Sequence, residues 1–250
     1  MRLRIANRVF APQPWAVLLT LAAITAFGSL GTWQVGRAQE KRAMLDSFER
    51  GMRTDRALGS ASVDGLPRFQ HVTATGRYEP QRQILLDNMP SSTGQPGYRV
   101  LTPLVRPGNA RRLLVDRGWV PLGPSREQLP AIDVGSDERV AAGRLDELPV
   151  PGIRVGPAGS PGATYWPRVL NFPTPADLES VFGQPLESRI LLLDAAHPDG
   201  FERVWRPALG FPPERHLGYA VQRFALAIVA LVIFVALSFE PDPSGGASQQ

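Results

Sequence analysis

WAVLLTLAAITAFGSLGTWQV, residues 15–35, is a run of 21 residues without a charge. At the helical rise per residue it measures roughly 30 Å, the thickness of a bilayer's hydrocarbon core. Its counterpart near the other end is YAVQRFALAIVALVIFVALSF, residues 219–239, interrupted only by Arg223. An arginine one turn inside a span reaches back to the interface along its own apolar stem, so this run also reads as a span. A cleaved signal peptide is the alternative for the first run. The apolar stretch exceeds the roughly 7–15 residues of a signal core, and no A-x-A site separates Trp33 from the charged RAQEKR, so it reads as retained. Trp15 and Trp33 stand at its two ends as interfacial anchors.

The flanks set an orientation. Arg2, Arg4 and Arg8 precede the first span with no acid among them, which predicts a cytoplasmic N-terminus. The expected layout is a cytoplasmic N-terminus over 1–14, a first transmembrane helix over 15–36 and an extracytoplasmic domain over 37–217. A second transmembrane helix over 218–239 and a disordered cytoplasmic tail over 240–250 complete it. The protein is thus expected to cross a bacterial inner membrane twice, with its main domain in the periplasm.

Between the spans the pattern changes. RAQEKRAMLDSFERGMR, 37–53, spaces Met44/Leu45, Phe48 and Met52 helically and reads as a stalk continuing the first span. Beyond Gly59 come short β-branched or apolar runs bounded by turn residues: 71–78, 83–88, 98–105, 112–120, 139–145 and 189–194. One soluble helix is signalled by Thr174 as N-cap, Pro175 at the first position and Gly183 after the end. PVPGIRVGPAGSP, 149–161, reads as a long loop. With 24 Gly and 25 Pro in 250 residues, the middle of the chain cannot be a helical bundle. The fold class expected is membrane-anchored α+β: two transmembrane helices flanking a β-dominated extracytoplasmic domain.

Composition closes several chemistries. The chain has no Cys, hence no thiolate metal site or redox dithiol, and its four Met form no cluster. HExxH, GxxxxGK[ST] and GxSxG are all absent. The net charge is +4, but the basic residues are scattered among acids without an aromatic-laced stripe, which excludes nucleic acid as a partner. Asp87, Asp116 and Asp194 each end or interrupt an apolar run and would make an enzyme only by converging in one pocket. His71 and His197 read as structural.

The informative cluster lies at one bilayer edge. His216 precedes Gly218 where the chain re-enters the membrane, and Trp33, Gln34, Arg37, Glu40 and Lys41 leave the first span at the same face. Tyr219, Gln222 and Arg223 follow His216 on the second helix. A lipid-headgroup girdle is the alternative reading of this set. Thr25, Gly28, Thr32 and Gly36 repeat at helical spacing and predict the face on which the spans pack.

These residues also carry a resemblance. LGTWQVGRAQEK (30–41), GRYEPQRQILLDN (76–88), GYRVLTPLV (97–105), LLVDRGWVP (113–121), GRL (143–145) and HLGYAVQRFALA (216–227) follow one another as in the surfeit locus protein 1 family of cytochrome c oxidase assembly factors. The order of span, extracytoplasmic domain and span matches as well, over about residues 15 to 240. At Arg223 the sequence departs from the family pattern, which mostly has Trp there. The resemblance implies a non-enzymatic factor that matures the catalytic subunit of haem–copper oxidases by receiving or presenting haem a. It would work with other assembly or haem a synthesis factors and with membrane lipid. His216 would then be an axial iron ligand, with Arg37, Lys41 or Arg223 on the propionates and Trp33, Gln34, Tyr219 and Gln222 completing the site. Two other readings stand beside it: a membrane-anchored scaffold that never touches haem, and a periplasmic enzyme built on the three aspartates.

Overall fold

A computed structural model of the chain describes residues 4–5, 8–123, 125–150, 165–207 and 209–241. Most of the expected 149–161 loop and positions 242–250 of the expected tail lie outside the described residues. In chain order the elements are β1 (Arg4–Ile5), β2 (Arg8–Phe10), α1 (Pro14–Gly51), β3 (Asp55–Ala57), β4 (His71–Tyr78), β5 (Ile84–Leu86) and β6 (Gly97–Val105). They continue with β7 (Arg112–Pro121), β8 (Glu138–Asp146), β9 (Arg168–Leu170), α2 (Pro175–Phe182), β10 (Leu186–Leu193), α3 (Pro213–Leu237) and β11 (Phe239–Pro241). The chain divides into two units: residues up to 45 together with those from 208, and residues 46–207.

The first unit is a helix pair. α1 and α3 are both long and apolar enough to cross a membrane. α1 is continuous for 38 residues, so span and stalk form one helix, ending at Gly51. Along it Ala16, Thr20, Ala23, Phe27, Gly31, Gln34 and Ala38 are buried or half-buried, at spacings of three and four. α3 answers with Pro213, His216, Ala220, Arg223, Ala227, Ala230 and Phe234, alternating three and four. Such a repeat keeps one stripe turned toward a partner helix.

The helices meet at Gly31, where an added Cβ would lie 2.6 Å from the Phe224 ring. This replaces the contact face expected from the sequence. Gly28 and Gly36 have nothing within 4 Å of such a Cβ, and Thr25 and Thr32 are exposed. The Thr32 hydroxyl donates instead to the Gly28 carbonyl one turn back, at 2.9 Å. Gly31→Leu is accordingly expected to displace Phe224 and weaken the pair by about 1–3 kcal/mol of overpacking, whereas Gly28→Leu leaves it intact. Crosslinking between cysteines placed on the two stripes reads the difference.

Beyond the helix ends the chain termini pair. β2 is central in a three-stranded sheet, with β1 on one side and β11 on the other. Glu240 and Pro241, expected to open a structureless tail, thus lie opposite Val9 and Arg8. The antiparallel helix pair brings both ends of the chain to one place, and the backbone groups there find each other.

The second unit is a β-barrel. β4 pairs with β8, β8 with β10, β10 with β7, β7 with β6, and β6 returns to β4 through Arg77–Val105 and Tyr78–Leu104. Five strands close, with β3 parallel to β4 and the β5–β9 pair carried on β6. β10 enters parallel to β7, and the other four pairings around the ring are antiparallel. Alternation along the strands builds separate cores. Leu113, Val115, Leu191 and Leu193 join Val72, Ala74, Leu104 and Leu145 in one, while Leu114, Ile190 and Leu192 turn outward against Leu178 and Phe182 of α2. α2 starts where expected, with Thr174 and Asp177 closing a reciprocal capping box and Gly183 at φ 62° ending it. Of the expected strands, 71–78 matches β4 residue for residue; β3 and β9, three residues each, were not anticipated.

A buried ion pair anchors the segment that follows β3. The Arg106 guanidinium donates to Glu187, and neither side chain is exposed. Arg106 also donates to the Gly59 and Ala61 carbonyls. Glu187 accepts from Ser62 Oγ at 2.8 Å, Asn109 Nδ2 at 2.9 Å and the Val63 amide at 3.3 Å. The pair thereby holds Leu58, Val63 and Leu66 against the barrel core.

Candidate functional site at the helix-pair edge

His216 lies in the first turn of α3 on the packed stripe, 9% exposed. Pro212 and Pro213 start the helix at the position where a missing N–H costs nothing. Across the seam, Gln34 of α1 lies 2.7 Å away, its Oε1 facing Nδ1 of His216. An amide oxygen only accepts, so Nδ1 is the donor, and in the neutral tautomer the lone pair lies on Nε2. Among the described residues Nε2 has no hydrogen-bond partner. The Phe211 ring packs edge-on at 6.3 Å, with the Arg215 guanidinium 4.8 Å from its centroid.

The other expected site residues divide. Arg223 follows His216 by seven residues on the same stripe, half-buried and without a salt bridge or hydrogen bond among the described residues. Intramembrane arginines require a counter-charge or a path to water. Arg37 is engaged, donating to Glu40 at 2.5 Å. Lys41 is half-buried farther along α1. Trp33 is 57% exposed and Gln222 is exposed, and both turn away from the stripes; Tyr219 is 40% exposed. The structure therefore brings Gln34 and His216 into contact, sets Arg223 in line with them and leaves Trp33 and Gln222 on outer faces.

A haem iron asks for an oriented imidazole with a free nitrogen and cations for the propionates. The Gln34–His216 bond supplies the first by the same logic that holds metal-ligating histidines through their other nitrogen. Arg223 or Lys41 could supply the second; each lies seven residues from the Gln34–His216 level, roughly 10 Å along its helix and on opposite sides, so one haem would reach only one of them. The imidazole and one such cation fit the group.

The aspartates do not converge. Asp87 pairs with Arg126 at 2.5 Å, Asp116 is fully buried against Arg99, and Asp194 holds His71. Burial pushes the Asp116 carboxyl above the usual range against the pull of Arg99, the mark of an internal ion pair. Among the described residues no group of three metal-ligating side chains assembles. His197 accepts from the Asp199 amide at 3.2 Å, and its Nε2 lies 2.9 Å from the Val140 carbonyl, a structural use.

His71 is the surprise. Its Nδ1 lies 3.1 Å from Asp55 on β3 and its Nε2 2.9 Å from Asp194 at the end of β10. Arg144 is its register partner on β8. Burial lowers the His71 pKa, but the hydrogen bonds and charges of Asp194 and Asp55 outweigh it, and the net shift is upward from 6.5. A raised folded-state value means stability present in full below the ordinary value and lost as pH rises through the folded one. The barrel should melt lower at pH 8.5 than at pH 6, and His71→Gln should remove that difference. Thermal melts of the full chain in detergent at the two pH values decide it.

Sequence reasoning missed this clasp because Asp55, His71 and Asp194 are joined only by strand pairing. The Gln34–His216 contact had a readable signal: the three-and-four spacing of Pro213, His216, Ala220, Arg223 and Ala227 marks the inward face of α3.

Comparison with known proteins agrees with this geometry. A SURF1-like protein of Rickettsia conorii is 28% identical over 223 residues, covering 87% of this chain and 88% of that protein. A SURF1-like protein of Rickettsia felis is 36% identical over 104 residues, 41% of this chain and 45% of that protein. The model of the SURF1 family matches residues 21–228, from within α1 through the barrel to the His216 end of α3, and the chain belongs to that family.

Proposed function

We propose that this protein is an assembly factor for haem–copper (cytochrome c) oxidase that receives or presents haem a for insertion into the catalytic subunit. Membership of the SURF1 family supports the oxidase assembly role. The observation that carries the haem reading is the His216 imidazole, oriented by Gln34 with Nε2 unpartnered among the described residues. Bound haem a would supply two carboxylates and an iron that takes a nitrogen donor. His216 would hold the iron through Nε2, Gln34 would fix the tautomer, Arg223 or Lys41 would balance propionate charge, and Tyr219 would stand at the rim. Arg37, already paired with Glu40, acts as a weaker electrostatic neighbour. The helix pair spans a bacterial inner membrane with the barrel in the periplasm, where the haem is handed to the catalytic subunit or accepted from haem a synthesis factors.

A scaffold that holds oxidase subunits without haem is the second reading. It is favoured by the exposed Trp33, Thr25 and Thr32 and the open Gly28 on α1, a face that the helix pair leaves unused. The absorption spectrum of detergent-purified protein, co-expressed with haem a synthesis, separates the two. A haem a spectrum in near-stoichiometric amount supports the carrier; its absence from folded, abundant protein leaves the scaffold.

A further inference from the structure

At the opposite end of the helix pair from His216 lies a cleft of about 420 Å³. Ala16, Leu19 and Ala23 of α1 form one wall and Ala230, Ile233 and Leu237 of α3 the other. Alanine at 23 and 230 leaves space between the backbones where larger side chains would meet. Gln13, Ser238 and Glu240 gather at one end, by the terminal strands, and the one polar residue on the walls, Thr20, donates its hydroxyl to the Ala16 carbonyl of its own helix. Glu240 is the one charged side chain in the lining. The cleft is an apolar shaft with an acidic mouth.

The surroundings choose the occupant. The walls run over residues 15–23 and 230–238, roughly 12 Å along the helices, well under half of a bilayer core. A partner transmembrane helix needs the full thickness and would be stopped by β2 and β11, whereas a flexible hydrocarbon chain needs neither. The single acid at the mouth repels phosphate-only headgroups and attracts an ammonium. We propose that this cleft binds one acyl chain of an amine-headgroup phospholipid, of the phosphatidylethanolamine class, with the ammonium at Glu240. The site stands apart from His216 and does not rest on the haem reading.

The test uses the full chain in nanodiscs of phosphatidylglycerol, with trace lipid carrying a photoreactive group on its acyl chain. The probe is made with either an ethanolamine or a glycerol headgroup. Adducts of the ethanolamine probe are expected at residues 16–23 and 230–237, about tenfold above those of the glycerol probe. Ala23→Phe with Ala230→Phe should abolish them, and Glu240→Gln, which lies outside both helices and spares the fold, should bring the two probes level. Adducts spread evenly along α1 and α3, equal labelling by both probes in the unsubstituted protein, or crosslinks between two copies at these residues would overturn the proposal.

Discussion

His216→Ala is expected to leave the protein in the membrane at its normal level and to remove its haem a spectrum. The imidazole is 9% exposed in the first turn of α3, and its one hydrogen bond among the described residues is to Gln34. Removing it costs about 0.5–1.5 kcal/mol of pairing between the helices, too little to release a helix held also at Gly31 and by the terminal sheet. On the carrier reading, by contrast, loss of the imidazole would remove the nitrogen that holds the iron. Gln34→Leu separates the roles: the ligand stays, its orientation does not, and an intermediate haem content with an altered spectrum is expected, since losing such a partner typically costs about 10–100-fold in metal affinity. His197→Ala is the control, because that residue is used within the barrel unit. Full haem retention by folded His216→Ala sinks the carrier reading. A fall in abundance of both variants would mean that the Gln34–His216 bond is structural.

The largest stability effect is expected at Glu187. Its carboxylate is buried and takes four donors, and alanine strands the Arg106 guanidinium inside the barrel wall with no counter-charge. Breaking one side of a buried pair costs about 3–5 kcal/mol, a large share of a domain's net stability. Arg106→Leu, Glu187→Leu in combination should lose far less, because an apolar replacement of the whole pair leaves no orphan charge. Denaturant melts of the two variants, followed by hydrogen exchange of amides in β4, β7 and β8, give the comparison. Equal destabilisation would show that the hydrogen bonds to the 58–66 segment, and not the charge balance, hold it down.

The sequence announces some of this architecture and hides the rest for reasons that can be named. The two long apolar helices are legible because about twenty apolar residues in a row, the number a bilayer crossing requires, stand out whatever their neighbours are. β4 is legible because HVTATGRY alternates under its own propensity. Closure of the barrel is not, since the β4–β6 contact joins Arg77 to Val105 and β10 arrives beside β7 after a long excursion. Within the helix pair, small residues are read too easily. Gly28, Thr32 and Gly36 look like a packing ridge, yet burial falls on Gly31 and Ala38, one face over. His216 is legible from its place just before the second apolar run, whereas its tie to Gln34, across 182 positions, needs the antiparallel pairing to be seen.

The terminal sheet has a consequence for biogenesis. β2 precedes α1 and β11 follows α3, so these strands can meet only after both helices and the barrel between them have been made. Closing this sheet is therefore a late step, taken on helices that already exist. A chain without β11 keeps the Gly31–Phe224 and Gln34–His216 contacts and loses the strand pairing at the other end of the pair.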